Sequence, residues 1–283
     1  MNDFESITSP ANPRVRQAAG LRDADARRDS GLTLVDGRRE LARAAAAGVP
    51  VVEVFLDASR PAAAPATAED AAFASWLSTA AAGGTRVVEL SARAFERIAF
   101  GGRNEGAVGV VRFAPRPLPQ VAFASRRPLL VVEGVEKPGN LGAVLRTADA
   151  AGLAGVIVCD GRTDAANPAA IRASLGTVFT VPLAVATAHE TIDRCRADGR
   201  LVFAATPGGG REWYEATLAG HTALVLGSEA WGISPAWGNA ATAGVLRLET
   251  IRLPMHGSAD SLNLSVTAAV LAYEALRQER TRS

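Results

Sequence analysis

The sequence predicts an α/β protein whose C-terminal half is a parallel sheet covered by helices on both faces. Two observations lead to this expectation. In residues 128–283, short and nearly continuous apolar segments alternate with helical patterns, as buried parallel strands and their crossover helices do. Before them, Pro115, Pro117 and Pro119 alternate along the chain, which favours an extended linker. We therefore expect a first domain over residues 1–113, a linker over 114–127 and a second domain over 128–283.

The first domain contains apolar, β-branched runs with the alternation of strands. Strands are predicted at residues 33–35, 51–56, 87–90 and 106–113. A helical run follows the first strand at residues 41–47, and a second helix is predicted through Trp76 and Leu77. The stretch 62–72 is rich in alanine and proline, which indicates a surface excursion before that second helix.

The second domain begins with a continuous apolar strand and proceeds by strand and helix. Strands are predicted at residues 129–135, 155–159, 201–205 and 223–226. Helices are predicted at residues 140–151, 168–175, 191–197 and 261–280. In the last of these, Leu262, Val266, Ala269 and Tyr273 recur at helical spacing, which indicates an amphipathic helix.

Composition narrows the class of protein without identifying it. Of 283 residues 48% are hydrophobic, and the net charge is +1, so the chain has material for buried cores and is no simple polycation. No apolar run reaches about 18 residues and the first 13 residues are polar, so we expect neither a membrane span nor an export signal. Cys159 and Cys195 stand apart in apolar or helical segments, which favours reduced thiols and a cytoplasmic location.

The sequence lacks the motifs of several common classes of active site. No GxGxxG follows a strand, and neither a GxxxxGK[ST] loop nor a GxSxG nucleophile elbow occurs. The three histidines His189, His221 and His256 are scattered and have no metal-ligand spacing, so we expect no metal.

Three segments with polar side chains follow predicted strands, where open α/β sheets bind their ligands. The first, residues 133–152, runs from a strand through a Pro-Gly-Asn turn into a helix carrying Arg146. The second, residues 224–234, ends a buried strand at Gly227 and places Glu229 just beyond it. The third, residues 251–270, holds Ser258, Ser261, Asn263 and Ser265 in one short stretch. Helix capping needs one or two of these four side chains, so the third segment is the hardest to explain as scaffold.

Taken in order, GNLGAVLRTA, LGSEAWG and LPM…SLNLSV resemble the motifs of the SpoU family, the TrmH-like RNA ribose 2′-O-methyltransferases that use S-adenosylmethionine. The resemblance covers residues 128–280 and implies a deep trefoil knot, an exception to the usual absence of knots, with the cofactor bound in it. It also implies that members act as homodimers. No metal is implied, since the sulfonium already activates the methyl group.

The resemblance also implies roles for individual residues. Cofactor contacts fall on Thr206, Gly227, Leu253 and Leu262. The catalytic set is Arg146, Asn140, Glu229, Asn263 and Ser261. We expect Arg146 to position an RNA phosphate and to stabilise the alkoxide electrostatically, since a guanidinium with a pKa above about 12 is a poor base.

The N-terminal part is similar to the RNA-binding extension of many members, a small α/β domain like ribosomal protein L30e. The similarity rests on residues 7–14 and 35–40, with Asp36 where members often have glutamate. Phosphate contacts are expected at Arg38 and Arg39, and at Arg172 in the second domain. Such a domain favours structured RNA recognised by shape and stacking, so the expected partner is 23S ribosomal RNA, with antibiotic resistance as a consequence in some members.

Two alternatives stay open at this point. The chain is a transfer RNA methyltransferase of the same family, or a non-catalytic RNA-binding or assembly factor that retains the fold. The intact Asn140, Arg146, Glu229 and Asn263 weigh against the second of these. A nucleotide-binding oxidoreductase would need a glycine fingerprint that the sequence lacks.

Overall fold

We describe a computed structural model of the chain over residues 4–60, 67–100 and 105–282. Its residues fall into two compact units. The first comprises Met1–Ala114 together with Ala165–Thr180, and the second comprises Pro115–Asp164 together with Val181–Ser283. The sequence analysis placed Ala165–Thr180 in the second domain, whereas its contacts place it in the first unit.

The first unit is built on a five-stranded sheet of order β1-β4-β3-β5-β2. Its strands are β1 (Glu5–Ile7), β2 (Leu32–Asp36), β3 (Val51–Asp57), β4 (Arg86–Leu90) and β5 (Ala107–Arg112). Strands β1, β4 and β3 are parallel, whereas β5 is antiparallel to both β3 and β2. The helices are α1 (Pro13–Gly20), α2 (Ala24–Ser30), α3 (Arg38–Ala46), α4 (Ala68–Ala82), α5 (Ala92–Glu96) and, from the inserted segment, α7 (Pro168–Ala173).

These elements follow from local sequence. Helix α1 starts with Pro13 in its first turn, and the Asn12 side chain caps it by accepting from Arg14 N at 2.9 Å. The apolar face of the sheet buries Leu34, Phe55 and Val88 among others in one core. Of the alanine-rich stretch 62–72, residues 62–66 lie outside the described residues and the remainder leads into α4.

The second unit is built on an eight-stranded parallel sheet of order β11-β13-β10-β12-β7-β8-β9-β6. Its strands are β6 (Arg116–Pro117), β7 (Leu129–Glu133), β8 (Gly155–Cys159), β9 (Leu183–Ala186), β10 (Leu201–Ala205), β11 (Arg211–Glu212), β12 (Thr222–Leu226) and β13 (Leu248–Arg252). Its helices are α6 (Pro138–Ala150), α8 (Ala188–Asp198), α9 (Pro235–Thr242) and α10 (Leu264–Arg282). The predicted α/β architecture with a parallel sheet is confirmed.

Two details differ from the sequence prediction. The proline-rich segment expected as linker contributes β6, which pairs with β9 at the edge of the sheet, where proline is tolerated. Helix α10 begins at Leu264 rather than at residue 261, because the Asn263 side chain accepts from Ser265 N at 3.0 Å and so caps it.

The connection between β10 and β11 crosses one strand of the sheet. Ala205 pairs with Ile251 on one side of β13, and Arg211 pairs with the same residue on the other side. Residues 206–210 therefore pass over the end of β13, where Thr206 N donates to Ile251 O at 2.9 Å. Gly209 lies so close to the β13 backbone that a side chain there would overlap Ile251. A knotted C-terminal domain needs such a crossing, and the knot itself stays a prediction.

No helix in the described part of the chain is both long enough and apolar enough to cross a membrane.

Candidate active site

A cavity of about 420 Å³ lies at the carboxyl ends of β10, β12 and β13 in the second unit. Its wall contains Thr206, Gly227, Leu253 and Leu262, the four residues expected to contact a cofactor. Parallel strands end at a common edge, so loops distant in sequence meet there. The cavity is of the size that small-molecule sites have, roughly 300–1,000 Å³.

The loop after β12 turns back on itself at the cavity wall. Ser228 N donates to Gly232 O and Gly232 N donates to Ser228 O, both at 3.0 Å. Gly227 packs against this turn so closely that a Cβ would overlap the backbone of Gly232 and Ile233. Glycine is therefore required at position 227 for the loop to close.

Side chains from the three motifs meet around Glu229. Asn140 Nδ2 donates to Glu229 Oε1 at 3.0 Å, and Asn263 Nδ2 donates to the same oxygen at 2.8 Å. Asn263 also lies 3.2 Å from Asn140 Oδ1, so the two amides and the carboxylate form one hydrogen-bonded group. Side chains that are 34 to 123 positions apart in the chain thus converge on one carboxylate.

Lys137 completes this group, and the sequence analysis did not select it. Its Nζ donates to Glu229 Oε2 at 2.9 Å. The hydrogen bond from Lys137, followed by those from Asn140 and the Leu264 backbone, lowers the pKa of Glu229 against the opposing effect of burial. A carboxylate with a lowered pKa is ionised at neutral pH and is a weak base, so Glu229 organises donors. The signal in the sequence was that Lys137 is the only lysine among 30 basic residues.

The other residues expected in the catalytic set lie outside this hydrogen-bonded group. Ser261 lines the cavity and is exposed. Arg146 is exposed on α6, and nothing within residues 4–60, 67–100 and 105–282 forms a hydrogen bond or ion pair with its guanidinium. An exposed guanidinium without a protein partner has its donors available to an anionic ligand.

The arginines expected to contact RNA have protein partners. Arg38 lies 3.7 Å from Asp70 and Arg39 lies 2.8 Å from Glu40. Arg172 Nη1 donates to the buried Asp36 at 2.9 Å and also to Phe100 O. Arg172 belongs to the first unit rather than to the second domain, and its contact with RNA stays a prediction.

One group of potential metal ligands occurs in the described part of the chain, formed by Glu133, Cys159 and Asp160. Glu133 Oε2 already accepts from Ser234 N at 2.9 Å and from Trp237 Nε1 at 3.0 Å. Burial raises the pKa of the Cys159 thiol above its usual range, so it is protonated at neutral pH and a poor metal ligand. This group therefore gives no support for a metal centre.

Family models match both parts of the chain. A model of the SpoU rRNA methylase family matches residues 127–273, and a model of the MRM3-like substrate-binding domain matches residues 12–109.

Curated relatives are ribosomal RNA methyltransferases by name. The chain is 34% identical over 158 residues to the 23S rRNA (guanosine(2553)-2'-O)-methyltransferase RlmP of Bacillus subtilis, covering 55% of this chain and 60% of that protein. It is 31% identical over 239 residues to the 23S rRNA (guanosine-2'-O-)-methyltransferase RlmB of Bordetella pertussis, covering 81% of this chain and 90% of that protein.

Solved structures match the chain over nearly its whole length. A crystal structure of an RNA 2'-O ribose methyltransferase superposes with a TM-score of 0.80 at 33% identity, covering 97% of this chain and 99% of that one. An rRNA methyltransferase from Sinorhizobium meliloti, solved with S-adenosylmethionine bound, has a TM-score of 0.79 at 26% identity, covering 97% and 98%.

Proposed function

The chain belongs to the SpoU rRNA methylase family, and we propose that it transfers a methyl group from S-adenosylmethionine to a ribose 2′-hydroxyl in 23S ribosomal RNA. The observation that carries the proposal is the convergence of Asn140, Glu229 and Asn263 beside the cavity at the strand ends. The enzyme class is that of its relatives, an S-adenosylmethionine-dependent RNA ribose 2′-O-methyltransferase. The substrate follows from two relatives named for 23S ribosomal RNA and from the match to a substrate-binding domain.

The cavity residues fit the cofactor. An adenine ring needs a flat apolar slot with backbone donors and acceptors, and Leu226, Leu253 and Leu262 supply apolar walls beside the strand-end backbone. Gly227 lets the Ser228–Gly232 turn close against β12, which shapes one side of the slot. Thr206 adds a hydroxyl on another side. When bound, S-adenosylmethionine supplies a methyl group activated by its sulfonium.

Arg146 is the residue we propose as catalytic. Its exposed guanidinium is suited to a bidentate hold on an RNA phosphate and to stabilising the negative charge that develops on the 2′-oxygen. A guanidinium does not give up its proton at neutral pH, so the proton leaves to the phosphate or to water.

Asn140, Glu229 and Asn263 act as positioning residues in this proposal. The ionised Glu229 accepts from both amides and from Lys137, which fixes the ends of α6 and α10 relative to the loop after β12. Ser261, on the cavity wall just before α10, is placed to contact the acceptor ribose. Reaction by direct displacement needs alignment above all, and a rigid frame supplies alignment.

In the first unit we propose Arg38 and Arg39 as phosphate contacts. Both are half-buried beside carboxylates: Arg39 donates to Glu40 at 2.8 Å, and Arg38 lies 3.7 Å from Asp70. Arg172 supports this surface indirectly by neutralising Asp36.

We also propose a homodimer in the cytoplasm. Helix α10 exposes Val266 and Tyr273, which are 46% and 52% exposed and lie on one face two turns apart. With Leu262, 37% exposed just before the helix, they form what we call the α10 stripe, an apolar surface suited to a second copy.

The cysteines support the proposed cytoplasmic location. Burial raises the pKa of the free Cys195 thiol to about 12, and buried, protonated thiols suit a reducing compartment.

The test is incubation of the purified protein with tritiated S-adenosylmethionine and, separately, unmodified 23S ribosomal RNA and transfer RNA transcripts. Label in ribosomal RNA that survives alkali as one dinucleotide supports the proposal and locates the nucleotide. Label in transfer RNA alone contradicts the substrate and keeps the enzyme class. Cofactor binding without any label favours the non-catalytic RNA-binding factor.

Antibiotic resistance stays a prediction, and it is tested by the drug sensitivity of a host that expresses the chain.

A further inference from the structure

The loop after β12 presents an exposed tryptophan at the mouth of the cofactor cavity. Trp231 is 78% exposed, more than any other large hydrophobic residue in the described part of the chain. It lines the same cavity as Gly227 and Leu253. Two residues before it, Glu229 joins the motif side chains.

Hydrogen bonds of the loop fix the backbone of Trp231. Trp231 N donates to Ser228 Oγ at 3.0 Å, inside the turn closed by the reciprocal Ser228 and Gly232 hydrogen bonds. Gly232 has φ +66, a conformation in which side chains are strained, and Gly227 has no room for a Cβ. Trp231 is therefore exposed from a turn whose backbone is hydrogen-bonded.

An exposed tryptophan at the wall of a ligand cavity offers a large aromatic face on which a planar group can stack. RNA-binding proteins commonly stack unpaired bases on exposed aromatic side chains. We propose that Trp231 is a stacking platform for a nucleobase of the RNA, beside the ribose that receives the methyl group. The inference rests on the proposed function and adds a residue that positions its substrate.

The polar surroundings of Trp231 favour a nucleobase over a second copy of this chain. Ser228, Glu229, Asp260 and Ser261 line the cavity together with Trp231, and Lys137, whose side chain is 69% exposed, donates to Glu229. The cores of protein interfaces are depleted of charged residues, whereas nucleic-acid interfaces are polar and cationic. The α10 stripe, which is apolar, is the surface suited to a second copy.

The test compares Trp231→Ala with Trp231→Phe, the conservative variant that retains an aromatic face. For each we measure kcat and KM for RNA, the Kd for S-adenosylmethionine by calorimetry, and the mass in solution by light scattering. We expect Trp231→Ala to lower kcat/KM for RNA by roughly tenfold to a hundredfold, and Trp231→Phe to restore it to within a few fold. The mass should be unchanged in both variants. Because Trp231 lines the cofactor cavity, the cofactor Kd is measured as well, and its change should be much smaller than the change in kcat/KM for RNA. RNA should quench a fluorescence component in the wild type that Trp231→Phe lacks.

Each other result contradicts the proposal in a distinct way. An unchanged kcat/KM for RNA in Trp231→Ala would show that no base stacks there. A matching loss of cofactor affinity would make Trp231 a wall of the cofactor site, and a change of mass would make it part of a protein interface. If the wild type methylates no RNA, the proposed function fails by itself, and quenching of Trp231 by RNA still decides whether a base stacks.

Discussion

At the scale of single residues, the polar side chains of the site are joined to one another by hydrogen bonds. Glu229 accepts from Lys137, Asn140 and Asn263, and the first of these bonds contributes most to the lowered pKa of the carboxyl. Arg146 stands apart from this group and is exposed. Mutations can therefore distinguish the positioning role of the group around Glu229 from the proposed role of Arg146 in stabilising negative charge.

Arg146→Ala should lower kcat for methyl transfer by at least about a hundredfold, because it removes the group that holds the phosphate and the developing charge. The cofactor Kd should stay within about twofold of the wild type, since Arg146 is absent from the cavity wall. Single-turnover transfer of tritiated methyl and calorimetry measure the two quantities. Arg196→Ala, which removes an exposed arginine of α8, is the matched control. Substantial turnover by Arg146→Ala would contradict its catalytic assignment.

Gly227→Ala should weaken cofactor binding. Its Cβ would overlap the backbone of Gly232 and Ile233, so the loop must shift at a cost of about 1–3 kcal/mol, and the cavity wall shifts with it. Gly208→Ala is the matched control, since a Cβ there meets nothing within 4 Å. Cofactor titration of both variants checks this, and equal affinities would show that the close approach at Gly227 has no effect on the site.

Asp36 should make stability depend on pH. Burial raises the pKa of this carboxyl to about 6, although the Phe100 N–H and Arg172 oppose the rise, while Glu105 and Glu40 reinforce it. Between about pH 4 and pH 6 the native state binds more protons than the unfolded chain, so this contribution to stability is present at low pH and is lost as pH rises.

The measurement is urea unfolding of the wild type and of Asp36→Asn from pH 4 to pH 7. The free energy of unfolding of the wild type minus that of the variant should fall by as much as about 3 kcal/mol across this range. Asp25→Asn, in which the carboxyl is exposed, should show no such trend. Parallel curves for wild type and Asp36→Asn would refute the assignment.

At the scale of elements, the residues at the start of α10 both cap the helix and take part in the candidate active site. Asn263 uses its Oδ1 to accept from Ser265 N and Oγ, at 3.0 and 2.7 Å, and its Nδ2 to reach Glu229. The amide of Asn263 thus caps α10 and also binds Glu229. Capping alone therefore does not account for the polar side chains of this stretch. Two of the four, Asn263 and Ser265, form this cap.

Asn263→Asp should separate the two roles. The carboxylate still accepts from Ser265, so the cap and the thermal midpoint should be nearly retained, but it donates to nothing and repels Glu229 at neutral pH. Methyl transfer should fall at least about tenfold. Asn263→Ala should lose activity and, by about 0.5–2 kcal/mol, stability as well. An active Asn263→Asp would show that the bond to Glu229 is dispensable.

At the scale of the whole molecule, the compact units are not continuous segments of the chain. Ala165–Thr180 interrupts the second unit in sequence and packs with the first. Thr33 Oγ1 donates to Ala166 O at 2.5 Å and Arg43 Nη1 donates to Leu175 O at 2.8 Å, on either side of α7. The inserted segment is therefore bonded to β2 and α3, and Arg172 of α7 adds its ion pair with Asp36. Residues 1–113 alone would lack these partners.

The proposed homodimer predicts that charges on the α10 stripe prevent association. Val266→Glu combined with Tyr273→Arg should give a monomer at concentrations where the wild type is a dimer, because charged groups are excluded from interface cores. Light scattering after size exclusion measures the mass. Val245→Glu, at an apolar residue 41% exposed beyond α9, is the control and should stay dimeric. A monomeric wild type would contradict the proposal directly.

The sequence by itself determined four of the eight strands of the second sheet, β7, β8, β10 and β12. Val131, Ile157 and Val225 lie in runs so apolar that only burial on both faces accommodates them, and all three are fully buried. The resemblance to the SpoU family pointed to Thr206, Gly227, Leu253 and Leu262, and all four line the cavity. Thr206, Gly227 and Leu253 directly follow β10, β12 and β13, whose carboxyl ends the parallel sheet brings to one edge.

Only the tertiary structure decided which distant groups meet. It placed Arg172 against Asp36, made β6 from the supposed linker and brought Lys137 to Glu229. It also showed that Trp231 is exposed, a residue that the sequence analysis did not select. These outcomes depend on packing between segments far apart in the chain, and a local pattern of polar and apolar residues carries no information about the partner that a side chain will find.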